Sequence, residues 1–167
     1  MRIAFIAVTA LILLGTCAAA QEITSDYSNA DFGHFKTYAW ASGHRVADEL
    51  LNQSIVSSID AQLSAKGLTK VCPGENPDVL ISYDVVFDRD TRGRGFRSGL
   101  QKLNWRSGSK YVLMGMLVVN LVDSGTGAMV WRGMASGVVD ENASAEKHDK
   151  KIHQVVQKIF RSYPPKA

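Results

Sequence analysis

The sequence predicts an α+β fold, in which a mostly antiparallel sheet carries two amphipathic helices packed on one face as a two-layer sandwich. Two patterns predict this class. Short segments rich in β-forming residues are separated by turn signals. Two longer segments instead repeat apolar residues at spacings of three and four, which is typical of helices with one buried face. The predicted order is strand, helix, three or more strands with a long insertion, and a final helix.

The first twenty residues have the features of an export signal. Arg2 precedes an apolar run over residues 3–14, and small alanines occupy positions 18–20. This run is too short for a helix to span a hydrocarbon core of about 30 Å. We therefore predict a signal peptide over residues 1–20, cleavage after Ala20, and a periplasmic or secreted mature protein.

An alternative processing route depends on Cys17. Leu14 fits the pattern of a lipoprotein signal, whereas Thr16 lies where a smaller residue is usual. If that route were used, Cys17 would become a lipidated first residue, and the domain would be a membrane-anchored lipoprotein.

The mature residues 21–167 are predicted to form a single α+β domain with a long basic loop at 88–110. This length suits one compact core. Hydrophobic residues make up 46% of the sequence, which is ordinary for a globular chain. Cys72 is the one cysteine left after cleavage, so we predict no internal disulfide.

A strand and a helix are predicted first. Residues 34–40 alternate aromatic and polar positions, which favours a strand. The helix begins at Asp48 and ends at Gly67, since glycine commonly terminates helices. Its apolar residues lie toward one face: Leu51, Ile55, Val56, Ile59 and Leu63.

Two further strands precede the insertion. Residues 68–72 form a short one, closed by a turn-rich segment over 73–78. Residues 78–87 alternate in the manner of a half-buried strand. One side carries Val79, Ile81, Tyr83, Val85 and Phe87, and the other carries Ser82, Asp84 and Asp88.

A β-hairpin and the last helix follow. Residues 111–123 and 128–139 are the paired strands, joined by a turn over 124–127. We expect Gly115 and Gly133 to mark β-bulges. Asn142 or Ser144 is predicted to cap the last helix, and Pro164 and Pro165 to stop it. Its apolar positions are Ile152, Val155, Val156, Ile159 and Tyr163.

Three stretches together resemble one bacterial family. They are ITSDYSNADFGHFKTYAW at 23–40, ENPDVLISYDV at 75–85, and LVVNLVDSGTGAMVWRG at 117–133, followed by a helix and Tyr-Pro-Pro. This combination resembles the domain of unknown function 4136 family of exported, mostly lipoprotein-like envelope proteins. The resemblance implies an α+β architecture and an envelope location, but no reaction. The chain departs from the family pattern at Thr16 and in its basic insertion.

Charge is concentrated in one segment. Between Asp88 and Lys110, seven Lys and Arg residues accompany two Asp residues. Connections this long are usually functional or disordered. The composition suits binding to an anionic surface, such as acidic lipid, lipopolysaccharide or nucleic acid. The alternative is a solvated hairpin tip without a ligand. The candidate binding residues are Arg92, Arg94, Arg97, Lys102, Arg106 and Lys110.

The first strand of the hairpin is apolar on both sides except at Asn120. Helices packed on one face of the sheet can bury only one of the two rows of side chains on this strand. We expect the buried row to contain Leu113, Leu117, Val119 and Leu121. The second row is then covered by loops, or it is a contact surface for a lipid, a hydrophobic ligand or a second subunit. That row contains Val112, Met114, Met116, Val118 and Val122.

The sequence does not contain the common motifs of catalytic or metal-binding sites. The sequence lacks HExxH, paired CxxC and GxSxG motifs. His148 and His153 are five residues apart, about 140° around a helix, and are expected to be solvated. We therefore predict no enzyme, no metal and no cofactor.

The sequence thus favours a non-enzymatic envelope module that acts in binding or assembly. Its expected partner is an envelope protein or an anionic envelope component, and a homo-oligomer through the second sheet face is a further option. The alternative function is anionic-surface binding through the basic loop.

Overall fold

One six-stranded sheet and two helices make up the fold in the computed structural model, which describes residues 21–41, 46, 48–72, 75–90 and 112–165. The prediction of an α+β class is confirmed. The elements in chain order are β1 (Glu22–Tyr27), β2 (Thr37–Trp40), α1 (Glu49–Ala65), β3 (Thr69–Lys70), β4 (Val79–Asp90), β5 (Val112–Asp123), β6 (Met129–Val139) and α2 (Ala145–Ile159). A short 3-10 turn over Phe160–Ser162 follows α2.

The strands lie in the order β1-β6-β5-β4-β2-β3. From β1 to β4, neighbouring strands are antiparallel, whereas β2 is parallel to both β4 and β3. The sheet is therefore mostly antiparallel, as predicted, with a parallel edge. The long hairpin β5–β6 pairs regularly except for one irregularity between Leu121 and Val122.

Both helices begin at side-chain caps. Asp48 accepts hydrogen bonds from the backbone N–H groups of Leu50 and Leu51, and Ser144 accepts one from Lys147. These side chains satisfy donors that the first helical turn leaves without partners. Gly67 has a φ of 87° just after α1, a conformation that glycine adopts without steric cost.

The core lies between the helices and one face of the sheet. Alternate residues of the central strands point toward the helices, so the period-two pattern of the sequence becomes a buried surface. The fully buried side chains include Ile55, Ile59 and Leu63 of α1, Val156 and Ile159 of α2, Val79 and Ile81 of β4, Val119 and Leu121 of β5, and Trp131 of β6.

Asp78 connects the start of β2 to the start of β4. Its Oδ2 accepts hydrogen bonds from the backbone N–H groups of Lys36 and Thr37, both at 2.8 Å, and from Thr37 Oγ1 at 2.9 Å. In return, Asp78 N–H donates to Thr37 Oγ1 at 3.0 Å. These hydrogen bonds lower the pKa of the carboxyl group, because they stabilise its charged form.

Three sequence predictions about local structure are wrong in part. Gly115 and Gly133 pair regularly with their neighbours and mark no bulge. At Gly133, a Cβ would meet Trp131 Cη2 and Ile159 Cγ2 at 2.4 Å, so close packing is the reason for glycine there. The final helix ends at Ile159, before Tyr163 and the prolines. Strand β4 continues to Asp90, so the loop begins later than predicted.

Candidate binding face

The sheet face opposite the helices combines apolar and acidic side chains. It carries the even-numbered residues of β4 and β5 and their partners on β6. The strand register groups them in rows across the sheet. Three of these rows form the centre of the face: Asp84–Val118–Met134, Val86–Met116–Ser136 and Asp88–Met114–Val138.

The apolar members of these rows form a continuous area, which we call the open face patch. Within the part of the chain that the structure describes, Val86 is 53% exposed and Val138 is 56% exposed. The other members are partly exposed. A contiguous exposed apolar area of this kind is typical of a contact surface. The open face patch consists of Val86, Met114, Met116, Val118, Met134 and Val138.

Acidic side chains flank the open face patch on two sides. Asp84 and Asp88 lie on β4, and Glu22 of β1 shares the row of Ser136 and Met116. All three acidic residues are exposed. The described border of the patch therefore carries more acidic than basic residues, with Arg132 as a cation at one end, although the full sequence carries a formal net charge of +3.

A hydrogen-bonded row of polar side chains closes the patch at the end away from Asp88 and Met114. Arg132 Nε donates to Asn120 Oδ1 at 2.7 Å, and Asn120 Nδ2 donates to Ser82 Oγ at 3.4 Å. Asn120 is only 9% exposed, so these bonds satisfy an amide that would otherwise be costly to bury. Asn120, which lies within the apolar part of β5, thus bridges β4 and β6.

The predicted division of β5 into two rows is confirmed except at Leu113, which is only partly buried. Leu117, Val119 and Leu121 are buried beneath the helices. Met114 and Met116 belong to the opposite face, where the helices do not reach. The sequence identified this second row correctly, but it did not predict the contributions of β4 and β6.

The predicted anion-binding residues lie outside the described residues. They are Arg92, Arg94, Arg97, Lys102, Arg106 and Lys110. Cys17, the residue that the alternative processing route would lipidate, also lies outside them. The described part of β4 ends at Asp90, and that of β5 begins at Val112.

A Ser-His-Asp cluster that the sequence analysis missed joins the two helices. Ser58 Oγ lies 2.7 Å from His153 Nδ1, and His153 Nε2 lies 3.5 Å from Asp149 Oδ2. Ser58 is 2% exposed, and its hydroxyl also lies 2.6 Å from the carbonyl oxygen of Ser54. The hydrogen bond between Ser58 on α1 and His153 on α2 thus helps to hold the two helices together.

Two tyrosines with raised pKa values belong to the packed framework of the fold. Burial and the carboxylate of Asp60 raise the pKa of Tyr38, whose hydroxyl donates to Asp60 Oδ1 at 2.8 Å. Burial raises the pKa of Tyr163 to about 12. Trp40 Nε1 and Lys70 Nζ also donate to Asp60. This carboxylate thus ties α1 to β2 and β3.

In the ranges that the structure describes, no group of three His, Cys, Asp or Glu side chains is arranged to hold a metal ion. Among the helices of that same part, none is long and apolar enough to cross a membrane.

The fold and the face together define a class of protein: an α+β domain with two helices on one side of its sheet and an apolar, acid-bordered surface on the other. The chain belongs to the DUF4136 family, a domain of unknown function, whose model matches residues 23–165. The resemblance seen in the sequence is thereby confirmed. Among curated proteins, none matches the chain.

Solved structures show the same fold at low sequence identity. A PDZ domain protein from Parabacteroides distasonis has a TM-score of 0.62 and 18% identity; the match covers 89% of this chain and 38% of that protein. This chain therefore spans less than half of that protein. A PelC dodecamer from Paraburkholderia phytofirmans has a TM-score of 0.53 and 13% identity, and the match covers 84% and 96% of the two chains.

Proposed function

We propose that this chain is a non-enzymatic binding module of the bacterial cell envelope, and that it binds a protein partner through the open face patch. The observation that carries the proposal is the exposed apolar area formed by three strands. Methionine side chains make up half of the patch, and their flexibility lets one surface adapt to a partner.

The acidic border indicates the chemistry of the partner. Asp84, Asp88 and Glu22 are exposed beside the patch. Opposite charges across an interface speed association and favour the correct partner. The expected partner surface therefore presents apolar side chains surrounded by Lys and Arg. Anionic headgroups or a second identical face would instead place like charges together.

The envelope location rests on the sequence and the family. We propose that the chain is exported and that the mature protein begins at Gln21. An intact-mass measurement of the protein purified from cells tests this step. A mass that begins at Gln21 supports it, and a mass that includes an acylated Cys17 replaces it with the lipoprotein route.

Capture from an envelope extract tests the binding face itself. The immobilised protein is compared with Val86→Glu and Val138→Glu, which place a charge in the patch. Leu50→Glu is the matched control, since Leu50 is 74% exposed on α1, away from this face. We expect one partner to be lost from both face variants and retained by the control. Identical capture by all four proteins would refute the proposal, as would recovery of this chain itself as the patch-dependent species.

The alternative function is binding to an anionic surface through Arg92, Arg94, Arg97, Lys102, Arg106 and Lys110. The charge concentrated in this segment is the observation that favours it. It assigns the activity to the connection between β4 and β5 rather than to the sheet. The two functions therefore differ in which residues must be substituted to abolish binding.

A further inference from the structure

Strand β1 forms one edge of the sheet, and its outer edge has open backbone groups. Ser28 N–H donates to the carbonyl oxygen of Val130 at 3.0 Å, and the register continues along β1 with Tyr27 opposite Trp131. Hydrogen-bonding direction alternates along an antiparallel strand. The N–H and C=O groups of Ile23, Ser25 and Tyr27 therefore point away from β6.

The described part of the chain leaves this edge uncovered. Every side chain of β1 is exposed, and β1 is the terminal strand of the sheet. Ile23 is 37% exposed and Tyr27 is 54% exposed. Edge strands with free backbone groups are templates for pairing with another strand.

One antiparallel register makes this edge complementary to itself. With a two-fold axis at Ser25, each Ile23 lies opposite the Tyr27 of a second copy. This places the two exposed apolar residues of β1 in direct cross-strand contact, which stabilises strand pairs. Asp26 then lies opposite Thr24, so no acidic residue faces another.

The neighbouring registers are unfavourable for electrostatic reasons. If the axis lies at Thr24, Glu22 falls opposite Asp26 of the second copy. If it lies at Asp26, the two Asp26 side chains face each other. Like charges placed directly opposite each other destabilise a strand pair, so the charges of β1 select the register centred on Ser25.

We propose that two copies of this chain pair through their β1 edges, antiparallel about Ser25, to form one continuous sheet. The two-fold axis is then perpendicular to the sheet, so all the helices lie on one side. Both open face patches lie on the other side, and the dimer presents them together. The pairing does not depend on the proposed binding function.

Charge variants on β1 test the pairing in solution. The purified processed protein is measured by light scattering over a range of concentrations, where we expect the mass of a dimer. Ser25→Lys places two lysines on the axis and is expected to give a monomer. Thr24→Lys is the matched control, because its lysine lies opposite Asp26 and the dimer is expected to persist.

A mixing experiment places opposite charges at the proposed two-fold axis. Ser25→Lys and Ser25→Asp should each be monomeric alone and should form a mixed dimer when combined. Melting curves confirm that each variant is folded, which is expected because Ser25 is exposed. A monomeric unmodified protein at every accessible concentration would overturn the proposal, as would a dimer that Ser25→Lys leaves intact.

Crosslinking tests the register independently. In a Cys72→Ser background, Ser25→Cys places two sulfurs at the axis, where Cα atoms are about 5.5 Å apart and within disulfide range. Ser28→Cys is the control, since its counterpart lies about 20 Å farther along the strand. We expect a covalent dimer from Ser25→Cys alone. Equal crosslinking at both positions, or none at Ser25, would show that the register is wrong.

Discussion

The indole ring of Trp131 occupies the space that a side chain at Gly133 would need. A Cβ at Gly133 would lie 2.4 Å from Trp131 Cη2 and 2.4 Å from Ile159 Cγ2. Trp131 is fully buried, and its ring centroid lies 5.3 Å from that of Phe160 and 5.3 Å from that of Tyr163. These contacts join β6 to the segment that ends α2.

Gly133→Ala is expected to destabilise the protein by about 1 to 3 kcal/mol, because the added methyl group displaces packed rings. Chemical denaturation of the two proteins measures the difference. Gly137→Ala is the control on the same strand, since the nearest atom to its Cβ is Gln21 Cγ at 3.9 Å. Equal effects at the two positions would contradict this account of the packing.

Ile159→Asp is expected to cost several kcal/mol and to unfold the domain, because it places a charge at a fully buried position. Val155→Asp is expected to cost clearly less, since Val155 is only partly buried against the core. Thermal unfolding of both variants gives the ranking. A melting temperature for Ile159→Asp within a few degrees of the unmodified protein would be inconsistent with the helix packing.

Asp78→Asn is expected to lower the melting temperature at neutral pH by an amount that shrinks in acid. The lowered pKa of Asp78 means that folding favours its charged form. Its stabilising contribution is full above about pH 4 and is lost as the pH falls through the lowered pKa. Melting curves from pH 7 to about pH 2 measure this change.

Thr37→Val removes one of the donors to Asp78 and leaves both backbone donors. This variant should therefore lose part, but not all, of the pH-dependent stabilisation that the charged Asp78 carboxylate provides. A difference between Asp78→Asn and the unmodified protein that stays constant across this pH range would exclude the carboxylate as its source.

Replacement of Arg92, Arg94, Arg97 and Arg106 by Ser tests the anionic-surface hypothesis. If these residues bind acidic lipid, binding to anionic liposomes should fall steeply from low to physiological salt and disappear in the variant, because exposed charges are screened over about 8 to 10 Å. Sedimentation with liposomes measures the bound fraction, and neutral liposomes are the control. Binding that survives all four substitutions would eliminate the hypothesis.

The sequence predicted those helices and strands in which the buried residues recur at a regular spacing along the chain. Alternation from Val79 to Phe87 identified β4, and its buried side is confirmed at Val79, Ile81 and Tyr83, whereas Phe87 is 49% exposed. The spacing of Ile55, Ile59 and Leu63 identified α1 in the same way. The fold class followed from these patterns and from the hairpin.

Features created by distant parts of the chain were not predictable. Strand β1 carries exposed side chains throughout, so its sequence has no buried face to reveal it. The contact between Ser58 and His153 requires two helices to meet. Gly133 has the residue type of a bulge, but the ring of Trp131 decides its role. In each case, the cause is a neighbour that local periodicity does not encode.

The pairing of the first strand with the last has a consequence for how the protein folds. Glu22 lies opposite Ser136, so the β1–β6 contacts have a very large sequence separation, which slows folding. A chain that emerges from a membrane channel with its amino end first cannot complete the sheet until β6 has followed. If the chain is exported as proposed, we expect it to reach its native state only after nearly all of it has crossed.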